Sequence, residues 1–145
     1  MSAAGTRLHA AAGAAGAVTF AAVGLVFVAM PGRVLAFFDA LSGRAGLATS
    51  AGAGSADRFW LVLAAAYMYV VAVLAWSMFR RPAEPVYPRL LAHAKLASAA
   101  LSLAAFAIVV PHLILLANFL VDGAIGAAAL VLWRRCARAA EGPAA

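Results

Sequence analysis

Cysteine, lysine and acidic residues are all scarce in this chain. A single cysteine, Cys136, among 145 residues excludes an intramolecular disulfide and any cysteine-built metal site. With five acidic residues, no Ser-His-Asp order, no Walker loop and no HExxH pattern, no nucleophile and base stand together, so no catalytic residues are assigned. Charged residues are 11% of the chain and apolar ones 67%, where soluble domains hold roughly 25% and 45–50%. A soluble fold of this length could not bury that much apolar surface, whereas lipid tails solvate it. The expected class is therefore an all-α integral membrane protein forming one domain.

The charge that is present is basic, ten Arg and one Lys for a net +6. In a soluble chain such a balance would raise nucleic-acid binding. Here the basic residues flank apolar runs, the pattern of topology signals and headgroup anchors, so membrane lipids and not nucleic acid are the expected partners. The Ala-rich, Lys-poor composition resembles that of a GC-rich bacterial genome. Palmitoylation of Cys136 is a eukaryotic route, and an inert thiol is the reading adopted.

Four spans are expected. Between Arg7 and Arg33 lie 25 uncharged residues, Leu8 to Gly32, longer than the 7–15 residues of a signal-peptide core and followed by a poor cleavage site, Met30-Pro31-Gly32-Arg33. A retained helix over 10–30 is predicted, ended by Pro31-Gly32. Val34, Leu35, Phe37, Phe38 and Leu41 then recur at helical spacing, which predicts a short amphipathic surface helix over 33–41. Residues 42–56, rich in Ser, Gly and Ala, read as a flexible loop, with Asp57 or Ser55 capping the next helix. The run Phe59 to Phe79 has aromatics at both ends, an interfacial belt, and predicts a span over 59–79.

The 44 residues between Arg89 and Arg134 would make a single helix of ~66 Å, twice the hydrocarbon thickness. Pro111-His112 at their midpoint predicts a tight hairpin with spans over 90–110 and 112–133. The whole is expected to be an antiparallel four-helix bundle. With the N-terminus inside, eight basic residues (Arg7, Arg80, Arg81, Arg89, Lys95, Arg134, Arg135 and Arg138) lie on the cytoplasmic side against Arg33, Arg44 and Arg58 outside. That asymmetry puts both termini in the cytoplasm of a bacterial inner membrane.

Asp122 is the residue most in need of explanation. A carboxylate in mid-span costs roughly 2.5–3.5 kcal/mol on insertion scales. Asn118, one turn earlier, shares its face. Matching depths across helices offers Ser102 and Tyr69 as hydroxyl partners and Lys95 as a cation within reach. The cluster Asp122, Asn118, Lys95, Ser102 and Tyr69 reads either as a ligand or proton site, or as interhelical hydrogen bonds that fix packing or contact another subunit. Arg80, Arg81, Arg134 and Arg135 are candidate contacts for anionic lipid. His93 and His112 are separated by nearly the membrane thickness. His9 and His93 share a side and could form an axial pair, but lone interfacial histidines are common, and neither haem nor another cofactor nor a metal is expected. Small residues at Gly13, Gly16, Ala17, Ala21 and Gly24, and at Gly123, Gly126 and Ala127, permit close helix approach.

The stretch Phe27-Val28-Ala29-Met30-Pro31-Gly32-Arg33-Val34-Leu35-Ala36-Phe37-Phe38, a first span ending in Pro followed by an amphipathic segment, resembles the DoxX-like proteins and similar uncharacterised families of small bacterial four-span membrane proteins. The resemblance implies the four-span layout and carries no catalytic residues. The Gly-rich segment 42–56 and the Pro111 hairpin depart from the pattern. Two functions remain open. One is a non-enzymatic assembly or accessory subunit, or a self-associating scaffold, joined to copies of itself or to a larger membrane complex. The other is a small-molecule, proton or lipid-handling protein with its site around Asp122.

Overall fold

The computed structural model describes residues 3–49 and 55–140. Five helices follow one another: α1 (Ala3–Ala29), α2 (Pro31–Arg44), α3 (Ser55–Arg80), α4 (Val86–Ile108) and α5 (Leu113–Ala140). No strand occurs among the described residues, and one isolated bridge joins Ala48 to His112. Four stretches are long and apolar enough to cross a membrane, Ala3–Ala29, Val62–Arg80, Val86–Ile108 and Leu113–Ala139. This is the signature of a multi-pass membrane protein.

At their charged ends the helices run past the expected boundaries, because charge does not stop a helix, only its burial in lipid, whereas α4 ends at Ile108 and α5 begins at Leu113, just inside the expected bounds. α1 begins before Arg7 and so carries His9 inside the helix. α2 starts at Pro31, a residue suited to the first turn because its missing N–H has no intrahelical partner there. α3 begins at Ser55, so Asp57 lies in its first turn and not at its cap. Part of the loop expected over 42–56 is therefore helical at each end, and residues 50–54 of it lie outside the described residues. Pro88 sits within the first turn of α4, where a proline is tolerated. The α4–α5 turn falls at Val109–His112, so Pro111 precedes α5 rather than entering it. The first N–H of α5, on Leu113, donates to the Ser42 hydroxyl at 3.1 Å, so α2 supplies the cap that the local sequence lacks.

Packing is strongest within two helix pairs, α1 with α3 and α4 with α5, and lighter between α3 and α4. Lipid tails are as apolar as leucine, so helices associate through close fit rather than through escape from water. Small residues provide that fit. A Cβ at Gly13 would lie 2.5 Å from the Phe79 nitrogen and 2.8 Å from the Ala75 oxygen, both backbone atoms. At Gly126 it would lie 2.8 Å from Leu96 Cγ. The core gathers Phe20, Met68, Val71, Ala75, Leu91, Ala92 and Ala129 from α1, α3, α4 and α5. Leu25, Leu101, Ile108 and Val109 are exposed on the outside, a surface that a soluble monomer would not carry but a bilayer accepts.

Candidate functional site

Lys95, near the middle of α4, is 1% exposed, and its Nζ lies 2.8 Å from Oδ1 of Asp122 on α5. The same ammonium sits 4.6 Å from the centre of the Phe20 ring on α1 and 4.9 Å from that of Tyr67 on α3. Aromatic faces within about 6 Å attract a cation. One lysine side chain thus meets all three other membrane-length helices. It ties the α1/α3 pair to the α4/α5 pair across their lightly packed junction. The second carboxylate oxygen of Asp122, Oδ2, is buried and has no hydrogen-bond partner.

A polar track continues along α4 and α5 beside the pair. Asn118, four residues before Asp122 and so on the same face of α5, donates from Nδ2 to the Ser98 hydroxyl at 3.1 Å and to the Ser102 hydroxyl at 2.7 Å. The Tyr67 hydroxyl donates to the Ala94 carbonyl at 2.9 Å. Tyr67, Ser98 and Ser102 line a groove of about 680 Å³, together with Trp60, Leu101 and Leu115. The residues lining the groove come from α3, α4 and α5.

Of the expected cluster, the structure brings Lys95, Asp122, Asn118 and Ser102 to one locus. Tyr69 does not belong to it: it is 71% exposed on the outer face of α3. Matching depths places residues along a helix axis but not around it, and two residues turn a helix by about 200°. Tyr67 is the tyrosine that faces inward. Tyr67, Phe20 and Ser98 were not expected at the site. A signal for Ser98 exists, since Lys95, Ser98 and Ser102 follow an i, i+3, i+7 pattern on one face of α4. Nothing in the sequence marks Phe20.

The histidines serve different surroundings. His9 is 1% exposed, with Nδ1 2.8 Å from the Gly5 carbonyl oxygen and Nε2 3.0 Å from that of Leu132 on α5. A neutral ring donates to one of these carbonyls, an imidazolium to both. His93 is exposed, with Nδ1 2.8 Å from the Arg89 carbonyl oxygen and its ring 6.4 Å from that of Trp133. The expected quartet of arginines divides. Arg80 and Arg81 line one cavity at the α3–α4 turn, Arg135 lines another with His9 and Arg138, and Arg134 lines neither. Cys136 is buried, 3.6 Å from the Pro82 carbonyl oxygen to which its thiol donates. Among the described residues no three His, Cys, Asp or Glu side chains converge as a metal site.

Fold and polar centre together define a multi-pass helical membrane protein with a buried ion pair. Comparison with family models, curated proteins and solved structures gives no match to this chain.

Proposed function

We propose that this chain is a non-enzymatic membrane protein that takes up a proton or a small hydrogen-bond donor at Asp122. Its four spans form an antiparallel bundle in a bacterial inner membrane with both termini in the cytoplasm, and α2 lies along the opposite surface on its apolar face. The observation that carries the reading is the bare Oδ2 of Asp122, buried and unpartnered beside Lys95. In a hydrocarbon surrounding, a carboxylate oxygen without a donor is costly, and such acids mark ion, proton or ligand pathways. Protonating Asp122 removes the charge that holds Lys95. The signal would then pass directly to α1 and α3 through Phe20 and Tyr67.

Of the small residues that could carry assembly, Ala21 and Ala127 are exposed, but the glycines Gly13, Gly16, Gly24 and Gly126, which allow the nearest approach, are taken up by neighbouring helices of the same chain. The site reading is therefore preferred to that of an accessory subunit or a self-associating scaffold. It is tested by infrared difference spectroscopy of the protein in lipid as pH is lowered. A protonated-carboxyl band that is absent from Asp122→Asn is expected. Identical difference spectra for the two proteins would sink the proposal.

A further inference from the structure

The intramembrane site makes no use of a cavity at the basic end of the molecule. Between the end of α3 and the start of α4, Trp76, Ser77, Arg80, Arg81 and Tyr87 line a space of about 350 Å³. Trp76 and Arg80 are four residues apart and share one face of α3. Trp76 is half exposed and packs on Phe79 with ring centres 5.1 Å apart, the placement of an indole at the membrane boundary. The cavity thus begins at the apolar edge of the span and ends among guanidinium groups.

The walls are held in place. Arg81 donates from Nη1 to the Tyr87 hydroxyl at 3.2 Å, which fixes one guanidinium across the turn and leaves the tyrosine proton available to an acceptor. Pro82 and Pro85 restrict the turn, Pro88 is buried just beyond it, and the Cys136 thiol donates to the Pro82 carbonyl from α5. Neither guanidinium has an acidic partner: the ion pair formed among the described residues is Lys95–Asp122, and Glu84 in the same turn pairs with neither arginine. Arg89 is otherwise engaged, 5.5 Å over the Trp133 ring.

The wider field has the same sign. Contacts of His9 with Leu132, of Gly13 with Phe79 and of Cys136 with Pro82 gather the start of α1 and the ends of α3 and α5. That end carries Arg7, Arg80, Arg81, Arg89, Arg134, Arg135 and Arg138, against Glu84 among the described residues. Two unneutralised guanidinium groups, a hydroxyl donor and a half-exposed indole at the end of the span match a phosphate group carried on acyl chains.

We infer that this cavity is a headgroup site for an anionic phospholipid. Arg80 and Arg81 hold the phosphate, the Tyr87 hydroxyl donates a further hydrogen bond, and the acyl chains run down the outer face of α3 past Trp76. A soluble phosphate shares the headgroup chemistry but would gain nothing from Trp76 or from the apolar edge.

Native mass spectrometry of the full chain, released from bilayers of equal phosphatidylglycerol and phosphatidylcholine, tests the site. The wild type is expected to retain phosphatidylglycerol preferentially. The double variant R80Q/R81Q should lose about thirtyfold of that preference, about fivefold per guanidinium. R134Q/R135Q should stay within about threefold of wild type, and Tyr87→Phe should lose about fivefold through the missing hydrogen bond. All these positions lie away from Lys95 and Asp122, so Asp122→Asn should leave the lipid preference unchanged, and failure of one proposal is distinguishable from failure of the other. Absence of preference in the wild type, equal losses in the two arginine double variants, or displacement of the lipid by millimolar inorganic phosphate would each overturn the inference.

Discussion

Lys95 and Asp122 show what a buried ion pair asks of its surroundings. Each charge alone is expensive in the span, and together they are tolerated because Oδ1 lies 2.8 Å from Nζ and two aromatic faces surround the ammonium. Lys95→Met leaves the carboxylate without a cation, and Asp122→Leu leaves the ammonium without an anion. Each single change is expected to cost about 3–5 kcal/mol, while the double variant K95M/D122L should recover most of the loss, because apolar side chains of similar volume replace a pair without stranding a charge. Reversible unfolding in mixed micelles measures all three. A double variant no more stable than either single one would mean that Lys95 and Asp122 do not act as a pair. Recovered stability together with loss of the protonated-carboxyl band would separate the role in folding from the role proposed for the site.

At the scale of elements, glycine decides how near two helices come. α1 and α3 approach at Gly13 so closely that an added methyl would meet backbone atoms of Ala75 and Phe79, which cannot turn aside. Gly13→Ala should therefore destabilise the protein by about 1–3 kcal/mol or more by forcing the pair apart. Gly32, in α2, has nothing within 4 Å of the same added atom. Gly32→Ala should be neutral or stabilising by up to about 1 kcal/mol through helix propensity. Thermal denaturation of the two variants side by side checks the contrast, and equal behaviour would mean that the α1–α3 contact does not set the packing. The capping of α5 by Ser42 belongs to the same scale, since an element far along the chain completes a helix end that its own neighbours Pro111 and His112 leave bare.

Across the whole molecule the arrangement is two helix pairs joined by a few polar links. Tyr67 to Ala94, Lys95 to Phe20 and Tyr67, and His9 to Leu132 cross the junction where the helices otherwise pack lightly. In the proposed function, protonation of Asp122 would release the Lys95 ammonium that bridges this junction. The orientation proposed for the pairs in the bilayer rests on the distribution of arginines. Reporters fused to the N-terminus and to the C-terminus should both be active on the cytoplasmic side, following the eight-to-three excess of basic residues. A C-terminal reporter active on the other side would remove the orientation and, with it, the placement of the anionic-lipid cavity in the cytoplasmic leaflet.

Much of this was legible in the residues. Runs of apolar side chains bounded by Arg80-Arg81 and Arg134-Arg135, and the break at Pro111, announce four spans because burial in hydrocarbon is a property of composition and length alone. Asn118 with Asp122, and Lys95 at a nearby depth, are legible for a similar reason: an intramembrane charge must find company, and helical rise tells how far away it can be. Rotation about the helix axis is not contained in those rules. It took the packed tertiary structure to turn Tyr67 inward and Tyr69 to the outer face, to bring Phe20 over the ammonium, to split the arginines between separate cavities, and to reach Ser42 across to α5. Each of these depends on which face of a helix its neighbours occupy, a choice made by the close fit of small residues and available only once all four helices are in place.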